Sequence, residues 1–161
     1  MIYHHFGSRK GLVLAAQAER YRRTMQGFEE PLARRVMQLS SREEFSQFVS
    51  ELWMKFLRDP RYQRQRRTRT FLIGASEGQP EARSSYLAQS FSQIENVTAA
   101  LEFALERGWI RPEILPRGMA ELLLTMLNGR VILEFEETPN IRDDLDAMSL
   151  ATVLWALFPD E

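Results

Sequence analysis

Residues 41–56 read SREEFSQFVSELWMKF, and this stretch decides the fold class. Ser41 followed by Glu44 is a capping-box pattern, in which two side chains satisfy the free backbone N–H groups at the start of a helix. Apolar residues then recur every three or four positions, as Phe45 and Val49 do, which places them on one side of a helix. The stretch therefore predicts an amphipathic helix that packs against other helices.

The segments on either side carry helical signals as well. The Asp59-Pro60 pair ends this helix and begins the next, because proline is tolerated in a first turn. Gly108 closes a long helix that precedes it. We expect an all-α bundle of about six helices, with helices over residues 9–28, 42–58, 60–76, 81–107, 119–135 and 140–158.

One segment allows two interpretations. Asn128-Gly129 between two apolar runs is a strong hairpin signal. The neighbouring segments are helical, however, and Leu122, Met126, Gly129 and Leu133 share one face of a helix. We favour the helix, in which the glycine permits close approach of another helix.

Composition limits the classes of protein. A chain of 161 residues with 44% hydrophobic and 27% charged residues is expected to form one folded domain. It has no cysteine and no apolar run of about 18 residues, so we expect a cytoplasmic protein without membrane contact. Residues 1–70 carry 15 basic and 7 acidic residues, and residues 71–161 carry 6 and 15, so the first half is suited to an anion.

Enzyme chemistry has few candidates in this sequence. His4 and His5 are the only histidines, and glycine-rich phosphate loops and nucleophile elbows are absent. Adjacent carboxylates such as Glu43 and Glu44 diverge by ~100° on a helix and do not share one substrate. We expect no catalysis, no metal and no cofactor.

The most specific motif is IYHHFGSRKGL, residues 2–12. It resembles the end of the helix-turn-helix in TetR-family repressors, in which an aliphatic-Tyr-x-His-Phe segment finishes the recognition helix and a basic residue opens the next helix. The resemblance implies that residues 1–7 are the remnant of a DNA-binding domain and that residues 8–161 form an effector-binding and dimerisation domain. It also implies about 40 further residues ahead of Met1, without which operator DNA would not be read.

The resemblance gives three residues a role at DNA. Tyr3, His5 and Arg9 would contact phosphates, which positions a protein on DNA without specifying a sequence. Alternatively, His5 and Phe6 fill the junction between the two domains, and for these two we favour that role. The implied function is a ligand-responsive transcriptional regulator, a repressor; the alternative is a stand-alone helical carrier or interaction protein for small hydrophobic molecules.

A polar stripe on the long helix predicts the effector site. Tyr86, Gln89, Gln93 and Asn96 carry uncharged hydrogen-bonding groups at helical spacing, which suits a pocket that orients a small molecule. The alternative is a polar face that contacts a neighbouring helix or water. A further candidate is Arg66, for an anionic group, although for the arginines of this helix we favour stems that cover apolar surface. The candidates for the apolar walls are Trp53, Phe71 and Met126, although ordinary core packing explains each at least as well.

The last two helices carry more apolar residues than one small domain needs. Two copies of the chain would bury them in a four-helix bundle, so we expect a homodimer. The candidate interface residues are Leu122, Met126, Gly129, Leu133, Leu150, Leu154, Trp155 and Phe158.

Overall fold

The computed structural model describes residues 31–75, 80–135 and 139–158, together with residues 9, 11–13, 15, 16 and 19. All regular structure in these residues is helical, which confirms the all-α class. Tyr3, His5 and the expected domain boundary after residue 7 lie outside the described residues, whereas Arg9 lies exposed on a helical segment. In the described part of the chain, no helix is long and apolar enough to cross a membrane.

Six α-helices and one 3-10 segment follow one another along these ranges. They are α1 (Leu32–Val36), α2 (Arg42–Arg58), α3 (Pro60–Ala75), α4 (Pro80–Glu106), α5 (Pro116–Gly129), the 3-10 segment (Arg130–Phe135) and α6 (Pro139–Leu157).

The boundaries of α2 and α3 follow from local hydrogen bonds. Ser41 Oγ accepts the backbone N–H of Glu44 at 3.2 Å, and Glu44 Oε2 accepts the backbone N–H of Ser40 at 2.8 Å, so orphan donors at the start of α2 are satisfied. Asp59 ends α2 in an extended conformation, and its Oδ1 accepts the backbone N–H of Arg61 at 2.8 Å. One aspartate therefore separates the two helices and caps the second.

The long helix α4 ends in a Schellman motif. Gly108 has a φ of 68°, a left-handed backbone conformation that glycine adopts without steric strain. Trp109 N–H donates to the carbonyl of Ala104, and Gly108 N–H donates to the carbonyl of Leu105, both at 2.9 Å. The predicted stop at Gly108 is confirmed, and the motif turns Trp109 into the core.

The segment around Asn128-Gly129 is helical, so the favoured interpretation is confirmed. The α-helix ends at Gly129, however, and the predicted continuation to residue 135 is a 3-10 segment. Glycine weakens an α-helix, and residues three apart in a 3-10 helix lie on the same side. Val131 and Glu134 are accordingly both buried, while Ile132 between them is exposed.

The core lies around α4, which packs mainly against α1 and α5, while α2 packs against α6 and α3. At one end of the core the Phe45 ring lies 5.8 Å from the rings of both Trp109 and Phe158. Leu57 and Leu157 are almost completely buried, and each contributes roughly 1.5–3 kcal/mol by leaving water.

Candidate ligand-binding cavity

A partly open cavity of about 430 Å³ lies between the helices, and residues from α1 to α6 line it. This volume falls within the range of ~300–1,000 Å³ that is usual for small-molecule sites. The apolar face of α2 forms the largest share of the apolar wall, through Phe45, Phe48, Val49, Leu52, Trp53 and Phe56. The spacing that predicted an amphipathic helix therefore also supplies the hydrophobic wall.

Most of the polar side chains in the wall come from α3, α4 and α5. Arg69 donates to Gln93 Oε1 at 3.0 Å, to Asn128 Oδ1 at 3.1 Å and to Ser90 Oγ at 2.9 Å. Arg69, Gln93 and Asn128 all line the cavity, so one arginine fixes the orientation of two amides in its wall.

Two further amides line the cavity. Asn96 Oδ1 accepts the backbone N–H of Ala33 at 3.3 Å, which joins α4 to α1. Gln65 Nε2 is buried and, within the described part of the chain, has no hydrogen-bond partner. Such a donor is costly to leave unpaired.

Arg66 also lines the cavity, but acceptors of the protein hold its guanidinium. Its Nε donates to Glu134 Oε1 at 2.8 Å, its Nη2 also contacts that oxygen, and its Nη1 donates to the carbonyl of Phe56. Arg67 Nη2 donates to the Glu134 carbonyl at 2.6 Å. Arg66, our candidate for binding an anionic group, therefore binds the 3-10 segment instead, as does its neighbour Arg67.

Arg66 belongs to a buried group of four charges, which we call the ion cluster: Arg66, Glu134, Arg130 and Asp146. Their side chains are 7%, 4%, 7% and 3% exposed. Arg130 Nη2 contacts Asp146 Oδ1, and Arg130 Nε lies 3.8 Å from Glu134 Oε1. Two positive and two negative charges thus balance each other in the interior, as buried charges require.

The ion cluster connects α3, the 3-10 segment and α6, and it reaches α2 as well. Arg58 Nε donates to Asp146 Oδ2 at 3.2 Å. Trp53 Nε1, in the cavity wall, donates to Ser149 Oγ at 3.1 Å, and that hydroxyl donates to the carbonyl of Asp146 at 3.0 Å. Hydrogen bonds therefore connect Trp53 in the cavity wall to Asp146 of the ion cluster.

Four of the predicted ligand residues come together in the wall, namely Trp53, Arg66, Gln93 and Asn96. Among the described side chains, Phe71 is 55% exposed, and Gln89 and Met126 are half-buried outside the wall. The side chain of Tyr86 lies outside the described residues. The polar stripe on α4 thus contributes its carboxy-terminal half to the cavity.

The predicted interface residues divide into three groups. Leu122, Gly129, Leu133 and Trp155 are exposed in the single chain, and a Cβ added to Gly129 would meet nothing within 4 Å. Met126, Leu150 and Leu154 are half-buried against the core. Phe158 is a core residue of the single chain.

Sequence reasoning missed Gln65 and Asn128 in the wall and the two acids of the ion cluster. The sequence did contain a signal for the ion cluster, because its first half is basic and its second half is acidic. Arg58 and Arg66 of the basic half pair with Asp146 and Glu134 of the acidic half, so part of the expected anion is supplied by the chain itself.

Comparison with protein-family models, with curated proteins and with solved structures returned no match for this chain.

Proposed function

We propose that this chain is the small-molecule-binding and dimerisation region of a ligand-responsive transcriptional regulator that acts as a repressor. The observation that carries the proposal is the cavity of about 430 Å³, which has an apolar wall and a polar end. The motif in residues 2–12 adds the link to DNA through its resemblance to TetR-family repressors. The proposed activity is binding without catalysis, metal or cofactor, in the cytoplasm.

A ligand in this cavity is suited to changing the arrangement of the helices. Each of the helices α1 to α6 contributes to the wall, so a ligand that fits one arrangement of them better than another stabilises that arrangement. In the proposed mechanism the helical segment that includes Arg9 then tilts and changes the spacing of two DNA-reading heads.

The regulator is proposed to act as a homodimer. Leu122, Leu133 and Trp155 are large apolar side chains that the single chain leaves exposed. A Cβ added to Gly129, which lies between Leu122 and Leu133 in the sequence, would meet nothing within 4 Å. A second copy of the chain that covers these residues would remove apolar area from water, which favours association.

The ligand-binding part is tested with two glutamines of α4. Gln93 lines the cavity, whereas Gln89, one turn earlier, does not. In a thermal-shift screen of acyl, aromatic and cationic compounds, occupancy at 100 times Kd stabilises by ~2.7 kcal/mol, a shift of several degrees. Gln93→Leu should weaken the best compound at least tenfold and Gln89→Leu should not; equal effects would refute the assignment of the cavity.

The regulatory part is tested at the gene. The reading frame upstream of the Met1 codon should encode the rest of a helix-turn-helix, and the extended protein should bind its flanking DNA and be released by the cavity ligand in fluorescence anisotropy. The 161-residue chain alone should show no sequence-selective DNA binding at ~150 mM salt, because phosphate contacts carry no base information. A stop codon directly upstream would favour the carrier function instead.

A further inference from the structure

The polar end of the cavity presents hydrogen-bond donors. Arg69 donates to Oε1 of Gln93 and to Oδ1 of Asn128, at 3.0 and 3.1 Å. A guanidinium has no acceptor, so both amides must turn their oxygens toward it. The groups that the two amides retain for a ligand in the cavity are therefore their NH₂ donors.

Gln65, one turn before Arg69 on α3, adds a third donor. Its Nε2 is buried in the cavity wall and has no acceptor among the described residues. A buried donor without an acceptor destabilises the protein, and a ligand that brings an acceptor removes that cost. The unpaired amide thus specifies an acceptor as the polar group of the ligand.

The charges in the wall select the sign of that group. None of the described residues that line the cavity is an aspartate or glutamate. Three are arginines, namely Arg35, Arg66 and Arg69, of which Arg66 is paired with Glu134 in the ion cluster. The guanidinium of Arg69 lies in contact with both amides, so an acceptor bound there lies close to a positive charge. An anionic acceptor gains from this position, whereas an ammonium group would lie close to a like charge.

The apolar part of the cavity sets the size of the rest of the ligand. At roughly 30 Å³ for each water-sized group, a volume of 430 Å³ accommodates about 14 non-hydrogen atoms. The apolar part of the wall includes Phe45, Phe48 and Trp53 of α2 with Leu123 and Leu127 of α5. A flexible hydrocarbon body of about ten carbons fits this space.

We infer that the ligand is a medium-chain monocarboxylate, with its carboxylate at Gln65, Gln93 and Asn128 and its hydrocarbon chain against α2 and α5. This inference rests on the proposed small-molecule function of the cavity and names the class of ligand that the cavity takes.

Calorimetric titration of the 161-residue chain with decanoate, decanol and decylamine tests the head group at constant chain length. Decanoate should bind at least tenfold more tightly than decanol, and decylamine should show no binding. Gln65→Leu should reduce the affinity for decanoate at least fivefold and leave that for decanol within twofold. The matched control is Gln47→Leu on the exposed side of α2, which should change neither affinity.

Asn128→Ala provides a second variant at the same end of the cavity, and it too should weaken decanoate more than decanol. Circular dichroism at the titration temperature establishes that each variant is folded. Equal affinities for decanoate and decanol, or tighter binding of decylamine, would overturn the carboxylate inference while leaving the small-molecule function in place. If none of the three probes binds, and no compound of the thermal-shift screen binds either, both the inference and the proposed function fail.

Discussion

Replacing Glu134 by glutamine removes one of the two negative charges of the ion cluster and nearly preserves the shape of the side chain. Arg66 then loses its carboxylate partner, and Asp146, which contacts Arg130, is the one carboxylate left in the ion cluster. Because the four side chains are 3–7% exposed, water screens the remaining charges little. Removal of one partner from a buried ion pair typically costs ~3–5 kcal/mol, a large part of the ~5–15 kcal/mol that stabilises a domain. At ~2–4 °C per kcal/mol, the Tm should fall by about 6–20 °C.

Urea unfolding followed by circular dichroism measures this change in the free energy of unfolding. The matched control is Glu95→Gln, since Glu95 contacts Arg117 at 2.6 Å but the two side chains are 62% and 53% exposed. The control should leave the Tm unchanged within error, because solvent screens exposed pairs. The double variant Glu134→Gln with Arg66→Met keeps the Arg130–Asp146 pair balanced and should lose less than the sum of the single losses. Equal losses for Glu134→Gln and Glu95→Gln, or strict additivity, would refute the reasoning.

Three further perturbations test the core, the proposed dimer and a helix cap. Leu101 is 4% exposed, so Leu101→Ala should lower the free energy of unfolding by ~2–5 kcal/mol in urea; a loss near zero would contradict its place in the core. Trp155 is 68% exposed, and light scattering should show that Trp155→Glu gives folded monomers. The control Met37→Glu, also at an exposed apolar residue, should stay dimeric. A monomeric unaltered chain would disprove the dimer. The hydrogen bonds of Arg61 lower the pKa of Asp59 to about 2 from 3.8, so this carboxylate stabilises the fold above pH ~4 and loses that effect as the pH falls toward 2. An NMR titration should show this value and a higher pKa in Arg61→Ala, and an ordinary aspartate pKa in the unaltered chain would contradict the capping contact.

Much of the helical fold could be predicted because its signals are local. The capping box at Ser41, the shared boundary at Asp59 and the glycine stop at Gly108 each depend on a few consecutive residues, and all three lie where the sequence indicated. The change from α to 3-10 geometry after Gly129 could not be predicted in this way. It places Glu134 beside Arg66, which is 68 positions away in the chain.

The cavity could be predicted only in part, for a related reason. The periodicity of α2 identifies the residues on its apolar side, and Trp53 does line the cavity. On α4, periodicity gives a common face to Gln89, Gln93 and Asn96, but the extent of the cavity along that helix depends on the packing of α3 and α5. The wall therefore includes Gln93 and Asn96 and stops short of Gln89.

The balance of the ion cluster constrains how this sequence can evolve. Arg66 and Glu134 neutralise each other from distant positions, so losing either one alone leaves a buried charge without its partner. Chains with only one of the two substitutions are poorly stable. A lineage can therefore change these positions only by exchanging both residues together, for instance for two apolar residues of similar volume. In homologous chains we therefore expect positions 66 and 134 to vary as a pair, and positions 130 and 146 as a second pair, while exposed arginines such as Arg117 vary independently.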